Sequence, residues 1–143
     1  ALVATRPKIG THMSGSALDI SVLSRETGAE LYRGAPYIEL SEKTPMDSPM
    51  VSGEARKNRH EITVMMAKHG FVAYPFEFWH YSAGDAYQAY LDKTGKPARY
   101  GAVDMDPATG KVTAMADPMR WLHGLDGIEA EIAAAMKRRS GGQ

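Results

Sequence analysis

The amino-acid sequence predicts an α+β fold, with a small, mainly antiparallel sheet flanked by helices. Three observations carry that prediction. Residues 17–23 alternate Leu18, Ile20 and Val22 against Ala17, Asp19 and Ser21, the period-two pattern of a strand with one buried face. Residues 54–68 place Ile62, Met65 and Met66 on one stripe at helical spacing. Residues 100–115 read as a hairpin turned at Asp106-Pro107-Ala108-Thr109-Gly110. At 143 residues the chain is long enough to bury one core unaided. No internal repeat or low-complexity tract divides it.

In chain order, the first strand turns Asp19 away from the apolar layer, toward a cleft. Glu26-Thr27-Gly28 reads as a turn, followed by a second short strand over 30–32. Residues 34–52 carry Pro36, Pro45 and Pro49 among polar residues, an irregular excursion of the kind that borders sites. The helix over 54–68 has Glu54 in its first turn, and Gly70 fits the position just past its end. Residues 71–74 and 76–81 are rich in aromatics and read as strand, broken at Pro75. The hairpin leads to a last helix over 127–139, with Ile128, Ile132, Ala135 and Met136 as its buried stripe. Glu129 and Glu131 near its start, and Lys137, Arg138 and Arg139 at its end, suit the helix macrodipole. Residues 140–143 are expected to fray. The nine methionines read as adaptable core.

Composition narrows the function classes. Seventeen basic and 17 acidic residues cancel, without a long run of one sign, which argues against a nucleic-acid groove or a membrane surface as partner. The chain has no Cys, so disulfides, thiolate zinc sites and cysteine nucleophiles are excluded together. Any metal site must then be built from His and carboxylates. Cysteine usage does not fix the compartment, and a cytoplasmic placement is slightly favoured over a periplasmic or secreted one. No apolar run approaches the roughly 18–20 residues that span a bilayer. The first residue is Ala, so an upstream segment is expected to have been removed, and His12 lies close to that end. Residues 1–143 are therefore expected to form a single catalytic domain or the C-terminal portion of one.

Two stretches carry the chemistry. In Thr11-His12-Met13-Ser14-Gly15-Ser16-Ala17-Leu18-Asp19, a His and an Asp stand seven residues apart across a Gly that lets the backbone bend tightly. In Glu77-Phe78-Trp79-His80, a Glu stands three residues ahead of a His. Two imidazoles, a carboxylate ligand and a further carboxylate are what a catalytic zinc site needs. Taken alone, His12 also fits a surface turn, and Asp19 a sheet edge. His80 alone also fits a core position among Phe76, Phe78, Trp79 and Tyr81. On a flat strand Glu77 and His80 point to opposite faces, so convergence needs Glu77 at the strand entrance or in a bulge near Pro75. His60 and His69 on the first helix and His123 further on read as structural. Arg120 and Trp121 are weak candidates for partner contact.

Together the two stretches resemble the zinc D-Ala-D-Ala dipeptidases, the metallopeptidase family that includes the vancomycin-resistance dipeptidase. The first matches their His-x-x-Gly-x-Ala-x-Asp signature. The second is similar to their Glu-x-x-His signature, in which two aromatics separate Glu and His. The resemblance covers about residues 10–81, with the hairpin and helix of 100–139 beyond it. It implies that His12, Asp19 and His80 bind one zinc ion and that Glu77 acts as general base on the attacking water. Gly15, Ser16, Trp79 and Tyr81 are candidates for the pocket or for contacts behind the ligands. The implied substrate is a short peptide of the D-Ala-D-Ala kind. The alternatives are a cell-wall carboxypeptidase or endopeptidase, an amidase on the same scaffold, or a zinc-binding module with impaired catalysis. Two departures stand out. Gly10 replaces the Ser the family often has two positions before the first His. The family's oxyanion-stabilising Arg lies well upstream, and Arg6 is too close to His12 to match it. That Arg is therefore expected from a segment outside this chain, such as an upstream chain of the same precursor.

Overall fold

A computed structural model describes residues 10–119 and the helix over 125–140. The readings placed on Arg6, Arg120, Trp121, His123 and residues 141–143 lie outside the described residues, as do the side chains of Ile128, Glu131, Ala135 and Arg139. The elements run as a 3-10 turn at His12–Ser14, β1 (Ala17–Asp19), α1 (Gly53–Lys68), β2 (Val72–Ala73), β3 (His80–Ser82), α2 (Ala86–Asp92), β4 (Val103–Met105), β5 (Val112–Ala114) and α3 (Leu125–Ser140). The class is α+β, as the patterning predicts. The first sheet has the order β1-β3-β2 and is antiparallel throughout, and the second is the β4-β5 hairpin. No helix among the described residues is long and apolar enough to cross a membrane.

β3 is the central strand, and His80, Tyr81 and Ser82 are all buried. Its ladder with β1 pairs Ala17 with Ser82, Leu18 with Tyr81, and Asp19 with His80. β1 is shorter than predicted and ends at Asp19. Beyond it only an isolated bridge forms between Leu23 and Glu30, so the strand expected over 30–32 is not made. Leu18, assigned to a buried face, is 43% exposed. α1 packs on β2, and β1 sits at the opposite edge of the sheet, so alternation along β1 had no helix to bury its apolar side against.

α1 begins where Ser52 caps it, its side chain accepting from the Ala55 amide at 3.1 Å. Its buried positions are Ala55, Arg59 and Ile62, whereas Met65, predicted on the inner stripe, is exposed. Arg59 replaces an apolar residue because its charge is fully occupied. It donates to the carbonyls of Arg33, Lys43, Pro45 and Met46 at 2.7–3.3 Å. The guanidinium groups of Arg59 and Arg33 lie 4.1 and 4.8 Å from the centre of the buried Phe78 ring. This stack ties the irregular segment over 34–52 to the turn that carries Glu77. Gly34, at φ 88°, belongs to the same packing, since a Cβ there would lie 2.7 Å from Val51.

Residues 76–79 are not strand. The chain turns twice, with Glu77 N donating to Tyr74 O and His80 N to Glu77 O, and regular pairing starts only at His80. α2 had no counterpart among the elements expected from the sequence. Its signal was Asp85 ahead of Ala86-Tyr87-Gln88-Ala89-Tyr90-Leu91, an N-cap before good helix formers. The hairpin turns at 106–110 as predicted. In α3, Ile132 and Met136 are exposed, contrary to the predicted stripe, because periodicity defines a face without supplying what covers it. Met50, Met65, Met105, Met119 and Met136 are likewise exposed, so much of the methionine content is surface and not core.

Candidate metal centre

The β1–β3 ladder sets the centre. Asp19 and His80 are direct partners across it, so their side chains rise from the same face. Asp19 Oδ1 lies 3.1 Å from His80 Nδ1. The 3-10 turn then returns His12 to the same carboxylate, with Nε2 at 3.3 Å from Asp19 Oδ1. Gly15 makes that return feasible. It closes the turn at φ 69°, a left-handed conformation that strains any residue with a Cβ. The two imidazoles meet edge to face, 4.6 Å between centroids. His12, Asp19 and His80 each offer a ligand atom within 4.8 Å of the other two, the one such group among the described residues. The two nitrogens and one oxygen suit a zinc-sized ion that keeps an open coordination position.

Glu77 borders this cluster from the turn before β3, with Oε2 at 3.7 Å from His80 Nδ1. The turn removes the parity conflict of a flat strand. Burial raises the Glu77 carboxyl above its ordinary value, the Asp19 charge adds to that, and His12 opposes it. Burial and the nearby His12 lower the His80 imidazole, with Asp19 opposing. Tyr37, from the 34–52 segment, brings its phenol near Asp19 and packs edge to face on Trp79 at 5.8 Å. Burial and the Asp19 charge raise that phenol.

His80 presents Nδ1 to the carboxylates and Nε2 to two hydroxyls, Thr11 Oγ1 and Ser82 Oγ, each at 3.2 Å. If those oxygens take the ring proton, the Nδ1 lone pair is free for a metal. Sequence reasoning missed Thr11, Ser82 and Tyr37. Ser82 was findable, because it stands two residues after His80 and so on the same strand face. Tyr37 had no such signal in an irregular segment.

A family model described as D-Ala-D-Ala dipeptidase matches residues 3–97. The chain belongs to the D-Ala-D-Ala dipeptidase family. Curated relatives include the D-alanyl-D-alanine dipeptidases of Enterococcus faecium, 29% identical over 75 residues, and of Escherichia coli, 33% identical over 75 residues. Each match covers 52% of this chain but only 37% and 38% of those relatives. Both motif stretches of this family member thus fall inside the span of the family model.

The remaining candidate residues take other places. Gly15 and Ser16 line a cleft of about 320 Å³ with Leu18, Phe71 and Tyr100. Leu18 faces away from Asp19 by strand alternation. Trp79 is buried against Phe78 and Tyr37. Tyr81 lies on the helix side of the sheet, its hydroxyl 3.1 Å from Thr63 on α1, and so belongs to the core. His60 and His69 lie exposed on α1 and at its C-terminal end, away from the cluster. Arg33 and Arg59 are bound to Glu30 and to backbone carbonyls, so neither serves the cluster as a spare cation.

Proposed function

We propose that the chain carries the zinc and general-base portion of a peptidase that hydrolyses a short D-Ala-D-Ala-like peptide. The observation that supports this best is the convergence of His12, Asp19 and His80 beside the Glu77 carboxylate. His12 Nε2, a carboxylate oxygen of Asp19 and His80 Nδ1 are the donors that would hold the ion. Zinc bound there supplies Lewis acidity for the amide carbonyl and draws the pKa of water toward neutrality. Glu77 takes the proton of the attacking water and passes it to the leaving amine, the task its raised proton affinity suits. Thr11 and Ser82 hold the His80 ring so that Nδ1 stays directed at the cluster.

Metal analysis of the purified 143-residue chain tests the ligand set, with one zinc per chain expected and none retained in His80→Ala. Hydrolysis of D-Ala-D-Ala tests the reaction. A Glu77→Gln protein that binds zinc but does not turn over agrees with the reading; full activity in that variant overturns it. One observation favours a second reading, a cell-wall carboxypeptidase or endopeptidase. The His12 side chain is 52% exposed, so the centre is open on that side and leaves room for a longer peptide. Faster cleavage of a peptidoglycan stem peptide than of the dipeptide would select that alternative.

A further inference from the structure

β1 lies at an edge of its sheet, beside β3 alone. The bonds it makes inward fix which of its backbone groups face outward. Ser16 O accepts from Ala83 N at 3.1 Å, and Ile20 N donates to Trp79 O at 3.0 Å. These bonds bracket the pairs of Ala17 with Ser82, Leu18 with Tyr81 and Asp19 with His80. Leu18 and Ile20 therefore direct their amides toward β3, and Ala17 and Asp19 turn their N–H and C=O groups away from it.

The same sidedness holds past the strand. Leu31 N donates to Val22 O and Ser24 N to Ala29 O, both at 2.8 Å, and the Arg33 guanidinium reaches Ile20 O at 3.1 Å. The return over 29–33 thus runs on the β3 side, and Leu23, like Asp19, faces the other way. Among the described residues, no segment pairs with the outer edge of residues 17–23.

That edge has one closed end and one open end. Ala17 is 8% exposed, whereas Leu23 is 59% exposed. Asp19 lies between them and belongs to the candidate donor set, so the edge and the cluster share a residue. A strand added to the edge runs about 4.8 Å from β1 and passes beside the cluster. Unpaired edges bind extended peptides through main-chain hydrogen bonds, with pockets for alternate side chains.

We propose that the outer edge of residues 17–23 binds the peptide substrate as an added antiparallel strand, with the residues N-terminal to the scissile amide along 19–23 and the leaving residue at the Ala17 end. The proposal rests on the peptidase reading above and names its substrate class: a peptide extended on the N-terminal side that loses one C-terminal residue. An antiparallel strand runs from Leu23 toward Ala17, so its C-terminus arrives where burial leaves least room. The outward N–H and C=O groups of Asp19 and Leu23 hold its backbone at alternate residues. The residue opposite Leu18 turns its side chain to the Leu18 face, where the cleft of about 320 Å³ opens beside Phe71 and Tyr100.

The test uses the zinc-loaded 143-residue chain and two hexapeptides, acetyl-tetraalanyl-D-Ala-D-Ala and D-Ala-D-Ala-tetraalanine. The N-terminal extension is expected to raise kcat/KM over D-Ala-D-Ala by about 10-fold, the worth of one or two net hydrogen bonds. The C-terminal extension is expected to give no gain, and a larger gain from it overturns the proposal. N-methylation of the added amides, one at a time, is expected to remove the gain at every second position; a loss that does not alternate overturns the added strand. A readout without turnover is the proton–nitrogen spectrum of zinc-loaded Glu77→Gln titrated with the first hexapeptide. The amide protons of Asp19 and Leu23 are expected to move downfield and gain exchange protection, while those of Leu18 and Ile20 stay in place. Protection of the Asp19 and Leu23 amides before peptide is added overturns the proposal. It does so whether the protection grows with protein concentration, as with a second copy on the edge, or does not, as with a further segment of the chain. A chain that binds no zinc or cleaves none of the peptides overturns the peptidase reading, and the proposal with it. Cleavage of the first hexapeptide with unmoved Asp19 and Leu23 amides overturns the edge alone.

Discussion

Asp19 and His80 face each other across the β1–β3 ladder, with Asp19 Oδ1 3.1 Å from His80 Nδ1. The ladder register is therefore also the register of the candidate metal centre. A slip of one residue would turn Asp19 to the opposite face and dismantle the site without disturbing the apolar content of either strand.

Glu77 borders the cluster but is not needed to complete its donor set. Glu77→Gln is expected to leave zinc stoichiometry at one per chain and to lower the rate of peptide hydrolysis by about 10²–10⁴-fold. Metal analysis and initial rates on the same preparation check both halves.

The same substitution is expected to act on the metal-free chain in the opposite sense. The folded-state value of Glu77 is raised, so the native state holds its proton more tightly than the unfolded state does. Its stabilising contribution is present below the unfolded value and is lost as pH rises through the folded one. Glu77→Gln should then raise the melting temperature of metal-free protein at pH 7, with the gain shrinking toward pH 4. His80 works the other way. Its folded-state value is lowered, so its contribution is present above the ordinary imidazole value of about 6.5 and is lost as pH falls through that window. Melting temperature against pH for wild type and His80→Gln, without metal, separates the two effects.

Gly15 and Gly34 both have positive φ but differ in surroundings. A Cβ at Gly15 would meet nothing within 4 Å, so Gly15→Ala costs only the backbone strain, about 1 kcal/mol, and weakens zinc binding by loosening the return of His12. At Gly34 the added carbon would lie 2.7 Å from Val51, and Gly34→Ala should cost roughly 2–3 kcal/mol, from strain and overpacking together. Urea unfolding midpoints of the two variants should fall in that order.

Arg59 satisfies four backbone carbonyls and flanks Phe78. Arg59→Met leaves those carbonyls short of donors and is expected to lose roughly 3 kcal/mol of stability. Because the carbonyls belong to residues 33–46, limited proteolysis should cut that segment first, which an effect confined to α1 would not produce.

Much of the site is legible in the amino-acid sequence. The spacing of His12 to Asp19 and of Glu77 to His80, together with the family resemblance, names the four side chains that the fold brings together. α1 is legible because Ser52, Glu54 and Gly70 are local signals, set by the backbone groups a helix leaves unpaired at its ends. What is not legible is long-range. Arg59 has the sequence context of a solvated residue, and only the carbonyls of a distant segment make it core. Residues 76–79 of the strand predicted over 76–81 form two turns because the amides of Glu77, Phe78 and His80 find acceptors at Tyr74, Thr44 and Glu77, contacts that alternation does not encode.

The sequence by itself determined the α+β class, α1, the hairpin and the identity of the side chains that cluster at the candidate metal centre, since each depends on periodicity, capping or motif spacing within a short stretch. Only the tertiary structure decided that Glu77 sits in a turn, that Ser82 and Thr11 hold His80, and that Asp85 lies buried with one oxygen unpartnered. Those facts depend on which chain segments share a low-dielectric interior and which donors reach which acceptors there. Partners far apart in sequence settle that, and no local pattern specifies them.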